Sequence, residues 1–182
     1  MKRTELELAI YTASQIIRQE SVLVIGSQSI LGSYSETQLP VRATISQEVD
    51  IAPLVDDDME TLATRIDILA GEWSDFDYTH GFYIQGVSVK TAFLPKGWET
   101  RVITVSPPGH SEITGLCLEP HDLSAAKLGR NDQKDREFVS ALVNAELISA
   151  VLVGERISAI TDPRFLPVQK KAALSFIRSL GN

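Results

Sequence analysis

The chain has 182 residues, 43% apolar and 23% charged, which suits one soluble globular domain with an appended subdomain. A net charge of -7 excludes broad electrostatic binding of nucleic acid, which needs Lys and Arg against phosphate, but leaves room for a local basic patch around one nucleotide or an RNA end. The single cysteine, Cys117, excludes an intramolecular disulfide and, lying in an apolar run, reads as a buried thiol.

Residues Glu5 to Gln19 carry Leu6, Ala9, Ile10, Ala13, Ile16 and Ile17 at helical spacing. They predict an amphipathic helix packed on a sheet. Val22 to Ile25 predicts a buried strand. Gly26-Ser27 then makes a turn able to approach an anion closely, and Gln28 to Gly32 a short helix whose start favours negative charge. The polar stretch Ser33 to Ser46, broken by Pro40, reads as a loop. Its Arg42 is expected to be a solvated arginine, the alternative being a phosphate contact.

Glu48 to Ile51 predicts the second strand. Strand side chains alternate faces, so Glu48 and Asp50 converge while Val49 and Ile51 point the other way. Adjacent carboxylates repel unless a cation sits between them, and a hard ion such as Mg2+ is the natural filler. Asp56, Asp57 and Asp58 are expected to cap and charge the start of a helix that buries Leu62, Ile66 and Leu69.

Trp73 to Tyr78 reads as an acidic surface loop, and its Asp75 and Asp77 are the candidates for a displaced third acid. His80 is expected to be structural, the alternative being a base contact or general base. Phe82 to Val89 predicts a strand with a possible bulge at Gly86, Thr91 to Leu94 a shorter strand-like piece, and Arg101 to Val105 a half-buried strand. Trp98 is expected either to stack on a base or to plug the core edge. Beyond the break at Ser106 to Gly109, Glu112 to Leu118 predicts a last strand.

From His121 onward the pattern is helical. Lys127 precedes an expected helix break at Gly129 to Asn131. Phe138, Ala141, Leu142, Ala145 and Ile148 stripe a second helix, and Val151 to Ile157 makes a third. Asp162-Pro163 is expected to start the last, with Phe165, Val168, Ala172, Phe176 and Leu180 buried. The expected fold is α+β: a mixed sheet flanked by helices over residues 1–118, with a helical C-terminal subdomain, residues 119–182, packed on it. There is neither a signal-type apolar core nor a long apolar span, so a cytoplasmic protein with no membrane partner is expected.

The order apolar run, Gly26-Ser27, then Glu48-Val49-Asp50 resembles the polymerase-beta-type nucleotidyltransferase superfamily. Asp122-Leu123, Lys127-Leu128 and the later Lys134-Asp135 are similar to the helix and acid of nucleotidyltransferase toxins from bacterial toxin-antitoxin and abortive-infection systems. The resemblance implies a nucleotidyltransferase-like core that moves a nucleoside monophosphate from a nucleoside triphosphate to an RNA or protein hydroxyl, tRNA included. It implies Mg2+ on Glu48 and Asp50, phosphates on Gly26, Ser27 and Lys127, a nucleotide-site role for Asp135, and a cognate antitoxin as partner.

Two departures accompany it. The interval from Ser27 to Glu48 is long for the superfamily, and the later strand segments Gly81 to Val89 and Thr91 to Leu94 carry no third acid. A catalytically reduced nucleotide- or partner-binding module on the same fold is the alternative. A dinucleotide-binding turn ranks last, because Gly-x-Gly-x-x-Gly is absent and the next strand carries paired acids.

Overall fold

The computed structural model describes residues 1–57 and 59–181; Asp58, expected at a helix start, lies outside the described residues. Within them, five short strands form one mixed sheet in the order β3-β2-β1-β5-β4. They are β1 (Ser21–Val24), β2 (Glu48–Pro53), β3 (Tyr83–Gly86), β4 (Ile103–Val105) and β5 (Thr114–Cys117). β1 runs parallel to β5 and antiparallel to β2, β2 runs parallel to β3, and β4 is antiparallel to β5. The C-terminal ends of β1 and β5 therefore meet the N-terminal ends of β2 and β3 at one edge of the sheet, where the loops gather.

Helices α1 (Arg3–Ile17) and α3 (Thr61–Ala70) pack against the sheet. Two strand glycines permit the contact: a Cβ on Gly115 would lie 2.3 Å from Ile10, and one on Gly86 would lie 1.8 Å from the Ala63 carbonyl of α3. That close approach selects small residues, so α3 buries Ala63, Ile66 and Ala70 and leaves Leu69 exposed, a one-residue rotation from the expected stripe. Asp56 starts α3 by accepting the Leu62 and Ala63 amides at 2.9 Å each, and Asp57 accepts those of Met59 and Thr61 at 3.1 and 2.9 Å. The expected capping role of this acidic run thus holds for its two described residues.

Two local expectations are corrected. Asp75 to His80 is a one-turn helix, α4, where a loop was expected. Ser74 caps it by accepting the Asp77 amide at 3.2 Å, and Gly81 ends it in a left-handed conformation. Thr91 to Leu94 is not a strand; Ser88 caps a single 3-10 turn, Val89–Thr91. His80 is exposed at the end of α4, with the Phe76 and Phe82 ring centroids 4.5 and 6.2 Å away. Trp98 packs half-buried at the rim of the core. Cys117 is fully buried, which pushes its thiol up to about 12.

The chain continues as α5 (Pro120–Arg130), α6 (Gln133–Asn144), α7 (Ala150–Ser158) and α8 (Pro167–Leu180). α5 lies centrally among them, touching the other three. Its Asp122 is fully buried and takes the Arg101 guanidinium at 2.7 and 3.0 Å, with Arg156 Nε 3.1 Å away as a second ion pair. Asp162 does not start α8. It holds the Arg164 amide and guanidinium, and α8 begins at Pro167, where Gln169 returns to accept the Leu166 amide at 2.9 Å. Phe165, ahead of the helix, is buried as expected, and Phe176 and Leu180 are half-buried against the core, but the buried residues of α8 are Ala173 and Ile177, and Val168 is exposed. Among the described residues, no helix is long and apolar enough to cross a membrane.

Candidate active site

Strand pairing places the acid pair. Beyond the last paired residues of β1, Ile25 N-H donates to Asp50 O at 3.1 Å, which brings Gly26 directly beside Asp50. A Cβ on Gly26 would fall 1.6 Å from Asp50 Oδ2 and 2.8 Å from its Cβ. The anion that Gly26 approaches is therefore the chain's own carboxylate. Gly26→Ala is expected to displace Asp50, at about 1–3 kcal/mol of overpacking, with loss of any transfer activity. Thermal melts and a transfer assay check this; full activity in the variant would rule it out.

Glu48 and Asp50 share the face opposite the fully buried Val49 and Ile51. Across the β2-β3 ladder their partners are Tyr83 and Gln85. Tyr83 donates its hydroxyl to Glu48 Oε2 at 3.4 Å, and burial together with Glu48 pushes that phenol up to about 12. Burial first, and Glu48 second, push the Asp50 carboxyl up to about 7, against the pull of Lys127 and Arg130.

The parallel pairing of β1 and β5 brings α5 to the same edge, because Leu118 N-H donates to Val24 O at 3.3 Å and the helix starts immediately after. Glu119 caps it by accepting the His121 and Asp122 amides, and Pro120 fills a first-turn position. The helix runs unbroken through Gly129, whose bare Cα packs on Phe93, and stops at left-handed Asn131. The break thus falls at the last residue of the expected Gly129 to Asn131 segment, which keeps Lys127 and Arg130 on one helix, three residues apart and able to face the same way.

Lys127 is buried. Its Nζ donates to Asp135 Oδ1 at 3.0 Å and lies 4.9 Å from the centre of the Phe138 ring. Burial pulls the lysine pKa down and Asp135 opposes the pull. Arg130 Nε and Nη2 each reach Asp135 at 3.2 Å. Burial pushes the Asp135 carboxyl up, but Lys127 and Arg130 outweigh it and hold it below the usual range.

These groups line one cleft with two lobes that share Glu48, Asp50, Lys127, Arg130 and Lys134. The smaller lobe, about 130 Å³, adds Ser27, Arg42, Ser46, Asp135 and Phe138. The larger, about 370 Å³, adds Ile25, Gly26, Gln85, Val87, Thr91 and Ala92, and falls in the size range of ligand pockets. All six residues expected from the sequence, Gly26, Ser27, Glu48, Asp50, Lys127 and Asp135, line this cleft. Asp75 and Asp77 do not; they belong to the first turn of α4.

Among the described residues, no three His, Cys, Asp or Glu side chains form a metal-holding group. Arg42 is solvated as expected, its side chain 39% exposed, but it does not lie on a loop. It sits on a one-turn helix, α2 (Val41–Thr44), pairs with Glu137 of α6 and faces the smaller lobe. Lys134, part of the Lys134-Asp135 motif, lines the cleft as well, and Arg130 and Gln85 are cleft residues to which the sequence assigned no site role.

Over residues 4–170 the chain matches the profile of a family described as nucleotidyltransferase of unknown function (DUF6036). The chain belongs to that family. The match spans every residue of the cleft, from Ile25 to Phe138. No curated protein and no solved structure matches the chain. In this nucleotidyltransferase-family protein the paired acids, the Gly-Ser turn and the lysine helix all open onto the same space.

Proposed function

We propose that the protein transfers a nucleoside monophosphate from a nucleoside triphosphate to a hydroxyl of RNA or of a protein, in a Mg2+-dependent reaction. The observation that carries this reading is the convergence of Gly26-Ser27, Glu48-Asp50 and Lys127 on one cleft. Glu48 and Asp50 would hold the Mg2+; the raised Asp50 pKa marks a carboxylate pair in need of a cation, and two hard oxygen donors suit this ion. Bound there, Mg2+ would polarise a phosphoryl oxygen and offset charge developing in the displacement.

The chain's own residues do the rest. Lys127, Arg130, Lys134 and Arg42 give the cleft four cations in a protein of net charge -7, which suits a polyanionic triphosphate. The Ser27 hydroxyl at the Gly-Ser turn adds a donor to the terminal phosphates. The acceptor hydroxyl oxygen attacks the α-phosphorus in line, its proton passes to solvent, and the bond to the α–β bridging oxygen breaks to release pyrophosphate. By analogy with the toxins that the sequence resembles, the acceptor is an RNA such as tRNA or a protein, and a cognate antitoxin is the controlling partner.

A second reading, a nucleotide-binding module with reduced catalysis, is favoured by one observation: among the described residues, no third acid completes the metal-ligand group. Incubation with Mg2+, total RNA and each of four α-labelled nucleoside triphosphates separates the two. The expected result is label in RNA or protein that disappears with Asp50→Asn. Nucleotide binding without label from any of the four would transfer the case to the binding module.

A further inference from the structure

We propose that the acid pair holds one divalent cation and not two, with Gln85 as its neutral third oxygen ligand, while Lys127 and Arg130 carry the charge that a second ion would supply. The inference rests on the transferase reading of the cleft. It starts from strand register. Gln85 is the partner of Asp50 across the parallel β2-β3 ladder, just as Tyr83 is the partner of Glu48. Neighbouring strands lie about 4.8 Å apart and register partners share a face, so the side chain at position 85 reaches an ion held by Asp50.

That side chain is an exposed amide that lines the larger lobe, and among the described residues it makes no hydrogen bond to protein. Its carbonyl oxygen is a hard, neutral donor. Tyr83 adds no further anion, because its hydroxyl is spent on Glu48. β3 thus contributes one neutral oxygen where a third carboxylate would have to stand.

The charge around the pair argues the same way. Two divalent ions about 3.5–4 Å apart, the spacing of two-metal sites, would set four positive charges against the two carboxylates of Glu48 and Asp50, and would have to draw the remaining counter-charge from the triphosphate in competition with the cleft's own cations. The same space already holds Lys127, Arg130 and Lys134. Asp135 cannot change sides, since its carboxylate is committed to Lys127 at 3.0 Å and to Arg130 at 3.2 Å. Lys127 and Arg130 share that one carboxylate, so the cluster keeps a net positive charge beside the acid pair.

The test counts ions. Crystals of the full chain are soaked with Mn2+ and inorganic tripolyphosphate, and anomalous peaks are located at a wavelength where manganese scatters. One peak between Glu48 and Asp50 is expected, with Gln85 Oε1 about 2.1–2.3 Å away, and with Lys127 or Arg130 on the tripolyphosphate. Gln85→Asp, at an exposed position, is expected to gain a second peak. Two peaks in the wild-type protein, no peak, or a single peak in Gln85→Asp would each overturn the proposal. The count does not depend on turnover. One ion in a protein that transfers no label retires the transferase reading alone, and two ions in an active transferase retire this inference alone.

Discussion

Asp50→Asn is expected to stabilise the metal-free protein near pH 8 while abolishing transfer. The Asp50 carboxyl is pushed from 3.8 up to about 7 by burial and by Glu48. Between these values the folded chain keeps a proton that the unfolded chain has released. Stability therefore falls as pH rises from about 4 to about 7, and the full penalty applies above that window. A tenfold change in proton affinity corresponds to about 1.4 kcal/mol. Asparagine keeps the shape and removes the charge, so the variant should gain on the order of 1–3 kcal/mol near pH 8 and nothing near pH 4.

Thermal melts of both proteins across this range make the comparison. Parallel pH profiles would remove Asp50 as the source. Mg2+ should raise the wild-type melting temperature near pH 8 and move that of Asp50→Asn much less, because only the intact pair gains from a cation. A residue whose removal stabilises the fold is placed there for chemistry and not for packing.

The acid pair was legible because the strand period is local: Glu48 and Asp50 announce a shared face within three residues. The α+β class was legible too, since strand-like runs give way to helical spacing from His121 onward. What stayed hidden depends on register or on distant partners. Gln85 lies 35 residues beyond Asp50, and only the parallel pairing of β2 with β3 brings them together. Arg42 gains its meaning from Glu137, on a helix at the other end of the chain.

The short elements failed for another reason. α2 and α4 have four and six residues, too few for helical periodicity to show. The start of α8 was misplaced because two prolines compete for it, and the choice falls to the Gln169 side chain reaching the Leu166 amide. Arg130 was within reach, since it follows Lys127 by three residues. It fell inside the expected break at Gly129 to Asn131, which hid it.

Asp135→Ala should be the most destabilising single change in the cleft, by about 3–5 kcal/mol, as expected when one partner of a buried ion pair is removed. Lys127 is 6% exposed and Asp135 1%. The Lys127 ammonium has one hydrogen-bonded partner, Asp135 Oδ1, and otherwise faces the Phe138 ring. Arg130 would suffer less, because its side chain is 54% exposed and can turn to water. The start of α6 is spared: Asp132 caps it by accepting the Asp135 backbone amide at 3.0 Å, a bond that alanine keeps. The loss is therefore that of an unpaired buried lysine.

The double variant Lys127→Met with Asp135→Leu tests this. It replaces both charges with apolar groups of similar branching and length, a change that is often neutral or stabilising for buried pairs. Most of the stability should return, with a coupling between the two sites well above the few tenths of a kcal/mol typical of independent ones. Activity should not return, because the cation proposed to face the phosphates is gone. Chemical denaturation of wild type, both single variants and the double closes the cycle. Stability that stays lost in the double variant would mean that Asp135 supports α6 or Arg130 independently of Lys127. Recovered stability with lost activity would mean that the ion pair is kept for the charge it presents to the cleft, at the expense of a more stable apolar core.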